Sequence, residues 1–422
     1  GSSQGWPKVR NPFACLPSTK QRRAAMQRLH VVVFTGLIML ARGNDLAADD
    51  EIELMQVSLL QQQPAKLQRS LLQSSRIGSG GPEVLPTFTV DLDLPPEKRW
   101  FSYYRENRER YLPLLQQTAP QSFEEERARA FLSSISLDDV QEFVGEYHGI
   151  MEAINDTRLT MDMLLWNEFS YERGSTLGCT GVLAATPNGT VFHGRNLDLS
   201  AGKFLVPSLI EVTFARGGVP LFLATTFVGT VGVHTGHRFG GWSMAQNTRK
   251  GCNDVVANEH EARNGGRPFM LYARQLMQDV PDFETAVHRL AEAHFMAPQY
   301  FTVAGPGPFE GALITRDRKG NAAPYGNVLT LSPAIGRWYI VQTNDDIWEP
   351  PVDGRRPAAL AKLQHMLPGQ VDPVSVGEIM MTVPVLNKQT VFTWIYCPLT
   401  GKRQMLLGYE ELETVTLRNT TQ

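Results

Sequence analysis

The chain has 422 residues, 42% of them hydrophobic and 20% charged, and a formal net charge of −3. That length supports one large core or two domains, and the charge excludes the basic balance expected of a nucleic-acid-binding protein. Its four cysteines, Cys15, Cys179, Cys252 and Cys397, are too few for a disulfide scaffold, and their spacing assigns no pairing.

Residues 1–43 read as a signal-like targeting segment. Lys8, Arg10, Lys20, Arg22, Arg23 and Arg28 precede an apolar run from Val31 to Ala41, broken by Thr35 and Gly36. The run is shorter than the ~20 residues that span a bilayer. Residues 44–84 read as a disordered linker, marked by Gln61-Gln62-Gln63-Pro64 and Gly78-Ser79-Gly80-Gly81-Pro82. Thr87 to Leu94 alternates like a strand that Pro95-Pro96 stops. Trp100 to Asn167 reads as helical. Ser122 is a candidate N-cap ahead of Phe123-Glu124-Glu125-Glu126-Arg127, and Val140, Phe143, Val144, Met151, Ile154, Met161 and Leu164 recur at helical spacing. The methionines near 151–163 form either a lipid-touching face or a core face.

A β-hairpin follows. Pro187-Asn188-Gly189 separates two β-prone runs, one starting near Cys179 and one ending at Asp198. Centring the turn on Asn188 sets Cys179 opposite about position 197 and brings Arg195 and Asp198 back beside the sulfur. Leu209–Phe214, Leu221–Val228 and Gly229–His234 then read as strands and Asp282–Phe295 as an amphipathic helix. Phe301–Val303, Gly311–Thr315, Trp338–Gln342 and Val391–Tyr396 read as further strands, the last closed by a turn at Pro398–Gly401. The plan is α+β: a helical N-terminal part ahead of a β-rich part containing two helices.

The chemistry turns on one bond. If Gly178–Cys179 is cut, Cys179 carries a thiol and an α-amine together. An α-amino group titrates at about 7.7–8.0 and can serve as general base for its own side chain, so no catalytic histidine is needed. Asp198 can orient the ammonium, and Arg195 can favour the thiolate. Asn344, just past a strand ending near Gln342, can donate to a developing oxyanion, a role worth about 2.7–4 kcal/mol in such sites. Arg355 lies on the next loop. The same residues have plainer readings: Cys179 as a small buried hydrophobe, Arg195 and Asp198 as a strand-end salt bridge, Asn344 as a turn cap, and His193 as a satisfied core histidine. No His/Cys/Asp/Glu cluster has metal-ligand spacing, so neither metal nor cofactor is expected. Asn155, Asn188 and Asn419 each begin an Asn-X-Thr sequon and are candidate glycosylation sites.

Cys179-Thr180, with His193-Gly194-Arg195-Asn196-Leu197-Asp198 about fourteen residues on, resembles the β-subunit start of the acid ceramidase and N-acylethanolamine acid amidase family. Collinear blocks extend the likeness over about 85–410. They are Val90 to Trp100, Thr226 to Gly236, Gly311 to Arg318, Gly336 to Asp346, Arg355-Arg356-Pro357 and Val383 to Asn387. The resemblance implies an αββα Ntn-hydrolase sandwich. It also implies self-cleavage into a mainly helical α-subunit (85–178) and a catalytic β-subunit (179–422). The implied roles are Cys179 as nucleophile, Arg195 and Asp198 as its supporters, Asn344 as oxyanion and substrate asparagine, and Arg355 as second arginine. The implied substrate is a lipid amide at a membrane or micelle surface, ceramide first and an N-acylethanolamine as the alternative. An activator protein is a candidate partner, and the implied location is the secretory pathway: lysosome, another acidic compartment, or secretion. Three positions depart from the pattern. Thr248 stands at the family's acidic position, Asp345-Asp346 replaces a Tyr-Asp pair, and Gly181 replaces a serine. The Thr248 departure motivates a reading from another class, a non-catalytic secreted lipid-binding protein.

Overall fold

The computed structural model describes residues 85–117, 131–135, 140–174, 178–320, 322–326 and 328–408. The expected targeting segment and linker, the Ser122 cap and Asn419 lie outside the described residues.

Strand β1 (Thr87–Asp91) opens the described chain, as its alternation predicts, and helices follow in the expected region, among them α1 (Phe101–Glu106), α2 (Arg108–Gln117), α3 (Gln141–Ile154) and α4 (Met161–Glu168). Thr160 caps α4, its hydroxyl accepting from the Met163 N–H at 3.3 Å, which satisfies one of the orphan donors of the first turn. Met151, Met161 and Met163 are partly buried against the largest hydrophobic cluster.

The rest of the chain supplies β2 (Gly178–Ala185), β3 (Val191–Asp198), β4 (Leu209–Arg216), β5 (Val219–Phe227), β6 (Thr235–Arg238) and β7 (Ser243–Thr248). Then come α5 (Val255–Arg263), α6 (Phe269–Asp279), α7 (Phe283–Glu292), β8 (Gln299–Ala304), β9 (Gly311–Arg316), β10 (Val328–Thr330) and β11 (Tyr339–Gln342). The described chain closes with α8 (Arg355–Gln364), α9 (Pro373–Met380), β12 (Thr390–Cys397) and β13 (Lys402–Leu407). Two expectations need correction. The β-rich part holds five α-helices among the described residues, not two. Gly229–His234 is not a strand: Gly229 takes φ +87°, and Gly232 packs so tightly on Glu168 and Met270 that no Cβ fits. The segment is apolar because it is buried beneath helices, and its glycines serve turning and close approach.

The strands form two sheets, ordered β1-β4-β5-β6-β7-β8-β9-β10 and β11-β2-β3-β12-β13. Alternation assigns their faces. On β4, Ile210, Val212 and Phe214 join the helices α3, α4, α6 and α7 in one core, whereas Leu209 faces the second sheet beside Leu197 and Phe392. Leu183 and Val191 meet Tyr300, Ala304 and Leu313 across the same interlayer. On the far face of the smaller sheet, Val182, Ala184, Phe192 and Ile395 pack on α8 and α9. The layers therefore run helices, sheet, sheet, helices.

The boundary expected at 178/179 falls inside β2, and β1 pairs in parallel with β4 over Thr87↔Glu211 to Asp91↔Ala215. Segments on either side of that boundary share one core.

Candidate active site

Cys179 is the second residue of β2 and pairs with Leu197 of β3, with Gly178 opposite Asp198 and Gly181 opposite Arg195. This is the register the turn predicts. Gly189 closes the turn at φ +88°, a conformation glycine adopts without a steric cost. Asn188 is exposed on it, and Asn155 is exposed as the left-handed C-cap of α3. Side chains on β2 alternate, so Cys179 points into the layer between the sheets while Val182 and Ala184 point at α8 and α9. A side chain at Gly181 would crowd Thr302, since a Cβ there would lie 3.0 Å from the Thr302 hydroxyl.

Four of the predicted partners converge on Cys179. Arg195 Nη2 donates to its sulfur at 3.5 Å. The Cys179 backbone N–H donates to Asn344 Oδ1 at 2.8 Å. Arg355 Nη1 donates to the Cys179 carbonyl at 2.8 Å and to Asp198 Oδ2 at 3.3 Å, and its Nη2 donates to Asn344 Oδ1 at 2.9 Å. The Asn344 amide donor is engaged elsewhere, on the Thr248 carbonyl at 2.9 Å. In the intact chain Asn344 thus meets Cys179 as an acceptor, because the uncut backbone presents it with an N–H.

A ring of polar groups fixes these side chains. Arg195 Nη1 donates to the Gln246 carbonyl (2.6 Å) and Asn247 Oδ1 (2.9 Å), and Asn247 donates to the carbonyls of Gln342 and Thr343, both at 3.0 Å. Arg195 therefore does not form the plain strand-end pair with Asp198. Asp198 accepts instead from Thr390 Oγ1 at 2.7 Å and Asn387 Nδ2 at 3.2 Å. Asp353 holds Arg355 at 2.8 Å. Sequence reasoning missed Thr390 and Asp353; Asn387 lay in a recognised block, but nothing near it marked a contact made 189 residues away. His193 is the satisfied core histidine, bonded at Nδ1 to Ser243 Oγ (3.0 Å) and at Nε2 to Thr302 Oγ1 (2.9 Å). Burial pulls its pKa down to about 3, which keeps it neutral. Thr248 has a buried hydroxyl with no hydrogen-bond partner among the described residues. Asp346 is clamped by Arg249 through two bonds of 2.7 Å and by Tyr300 at 2.6 Å.

Burial dominates the electrostatics. It pushes the Cys179 thiol up, against Arg195 and Arg355, which pull it down. It also raises the Asp198 carboxyl, although Thr390 and Arg355 oppose the shift. Seven residues before Cys179, buried Glu172 is pushed up to about 7. One of its oxygens accepts from the Phe269 N–H at 3.0 Å and the other has no partner among the described residues. The sign of the linkage follows: the folded chain holds this proton where the unfolded chain has lost it, so its stabilisation is full below the unfolded pKa and is lost as pH rises through the folded one. We expect stability against urea to fall between pH 4.5 and about 7, with Glu172 contributing on the order of 3 kcal/mol of that fall. Urea titrations of the native chain and Glu172→Gln check this. A profile as steep in the variant as in the native chain rules Glu172 out as the cause.

Among the described residues no group of three or more His, Cys, Asp or Glu side chains could hold a metal ion. What the geometry offers is a thiol, a cation on the thiol, and a fixed acceptor on the nitrogen of the same residue.

No protein-family model matches the chain. It is 31% identical to rat N-acylethanolamine-hydrolyzing acid amidase over 340 residues, covering 74% of this chain and 86% of that one. It is 30% identical to mouse acid ceramidase over 348 residues, covering 73% and 82%. The solved Caenorhabditis elegans N-acylethanolamine-hydrolyzing acid amidase ortholog superposes with a TM-score of 0.50 at 29% identity, over 54% of this chain and 99% of that one. An amidohydrolase, the chain belongs to the family of N-acylethanolamine-hydrolyzing acid amidases and acid ceramidases.

Proposed function

We propose that this chain is a self-processing lipid amidase whose nucleophile is Cys179 and whose first substrate is ceramide. The carrying observation is that both reactive atoms of one residue are already held, the sulfur by Arg195 at 3.5 Å and the nitrogen by Asn344 at 2.8 Å. In maturation the Cys179 sulfur attacks the Gly178 carbonyl carbon and the peptide C–N bond breaks. The nitrogen takes up a proton to become the α-amine, and water hydrolyses the resulting thioester. In turnover the amine accepts the thiol proton as the sulfur attacks the acyl carbon, then passes it to the departing amine of the substrate. Water, deprotonated by the same amine, releases the fatty acid. Arg195 and Arg355 pull the thiol pKa down against the burial that raises it. The reading carries with it an acidic compartment of the secretory pathway, in line with Glu172, which burial pushes up to about 7.

A second reading, N-acylethanolamine hydrolysis at the same site, is favoured by the near-equal identity to the two classes of relative, 31% and 30%. One experiment separates the readings. The purified chain is acidified, its fragments are sequenced from their N-termini, and it is incubated with both lipid classes. A new terminus reading Cys-Thr-Gly-Val with ceramide turnover is the expected result. Turnover of N-acylethanolamines alone moves the assignment to the second reading. An uncut chain that hydrolyses neither lipid sinks both.

A further inference from the structure

Arg195 is a buried guanidinium whose bonds run to a carbonyl, an amide oxygen and a sulfur, none of them a carboxylate. Its Nη1 is spent on Gln246 and Asn247, and its Nη2 meets the Cys179 sulfur. Its Nε–H has no partner among the described residues. In a planar guanidinium, Nε–H and one Nη2–H point the same way. The open donor therefore lies next to the nitrogen that serves the nucleophile. Two more buried side chains beside it each have a polar atom with no partner among the described residues: the Tyr171 hydroxyl and His234 Nε2. The charges of Cys179 and Arg195 both act on the Tyr171 hydroxyl, and Arg195 acts on His234.

Separate elements fix these two side chains. Tyr171 packs edge-on to Phe269 with ring centres 5.1 Å apart, and Asn253 Nδ2 donates to its carbonyl at 2.9 Å. The His234 ring lies 6.3 Å from the Tyr171 ring and stacks on Phe392, and its Nδ1 is bonded to Thr235 Oγ1 at 2.9 Å. Phe392 is opposite Leu197, which is opposite Cys179. Burial and Arg195 keep His234 neutral, so Nε2 can accept when Nδ1 carries the ring proton.

A buried donor or acceptor with its bond unmade is costly. One arrangement satisfies all three atoms: Nε–H donates to the Tyr171 oxygen, and the Tyr171 O–H donates to His234 Nε2. We propose that Tyr171 and His234 are positioning residues that close the open side of Arg195 in this way and so hold its Nη2 on the Cys179 sulfur. Tyr171 precedes the Gly178–Cys179 bond, so the N-terminal part of the chain supplies a member of the site. The inference rests on the reading of Cys179 as the nucleophile.

The test compares Tyr171→Phe with the native full chain. Cutting at Gly178–Cys179 and lipid-amide turnover are measured, and solvent exchange of the Arg195 Nε–H is followed by NMR in an uncut Cys179→Ala background. The phenylalanine variant should keep the native thermal midpoint. Its Nε–H should exchange about tenfold faster, and its cutting rate and kcat should each fall about tenfold with KM unchanged, the scale of one bond to a charged group. His234→Phe should shift all three in the same direction by less. Tyr396→Phe removes another buried hydroxyl with no partner among the described residues, and should match the native chain throughout. 3-Fluorotyrosine at position 171 keeps the shape with a weaker acceptor and should fall between; it carries the test if the phenylalanine variant fails to fold. Unchanged Nε–H exchange, unchanged cutting, a loss confined to KM, or equal losses in Tyr396→Phe overturns the proposal. Faster exchange in Tyr171→Phe, with no cutting and no amide turnover even in the native chain, supports the positioning and sinks the nucleophile reading instead.

Discussion

Cys179→Ala is expected to remain uncut at Gly178–Cys179 and to lose turnover of every lipid amide by about 10⁶-fold, the scale on which a hydrolase loses its nucleophile. The reason is positional. Alternation on β2 sends only this sulfur to Arg195. The other free cysteine among the described residues, Cys397, packs in the cluster on the opposite face of the sheet, with α8 and α9. Alanine keeps the β2–β3 ladder, so the variant should fold. Cys179→Ser should cut slowly, because a hydroxyl in the same place is a far weaker nucleophile. N-terminal sequencing after acidification, together with a turnover assay, reads both effects. An alanine variant that still yields a terminus at residue 179 removes Cys179 from the mechanism.

Arg355→Ala is expected to lower turnover by about 10²–10³-fold, as loss of a preorganised donor does, and to lower stability by about 3–5 kcal/mol. Arg355 touches the Cys179 carbonyl, Asp198 and Asn344 at once. Its removal strands the Asp198 carboxyl, whose side chain is 1% exposed, without its cation. The second site tells the two losses apart. Adding Asp198→Asn removes the stranded charge, so the double variant should recover much of the stability and none of the activity. Urea unfolding and turnover measured on the same samples check this, and a single variant as stable as the native chain refutes the charge argument.

Much of this site was legible in the sequence because it is local. A short turn at Asn188 fixes a two-strand register, and a period of two then places Cys179, Arg195 and Asp198 without any knowledge of the remaining fold. Asn344 was legible as a donor just past a strand, but only the collinear resemblance set it and Arg355 beside Cys179. Nothing in their own neighbourhoods announces that β11 pairs with β2, as Ile340↔Leu183 and Gln342↔Gly181 show. The supports of those residues were not legible at all. Thr390 meets Asp198 because β12 pairs with β3, and Asp353 is an ordinary loop acid until it grips Arg355. The misread Gly229–His234 segment and the unassigned helix α6, eight of whose residues are buried, share one cause. Burial on several sides blurs the hydrophobic period that would tell helix, strand and turn apart.

The place of the Gly178–Cys179 bond inside β2, with β1 locked beside β4, has a consequence for molecularity. While the bond is whole, folding is a one-molecule event and its equilibrium is blind to concentration. If the bond is cut as proposed, neither fragment would own a complete core, so unfolding would also be dissociation, and recovery would require two chains to find each other. The peptide link would then be a tether needed once: it brings β1 and the N-terminal helices to the sheet, and without it dilution would work against the fold. Under that proposal folding must precede cutting, and the cut assembly would persist by the slowness of its separation.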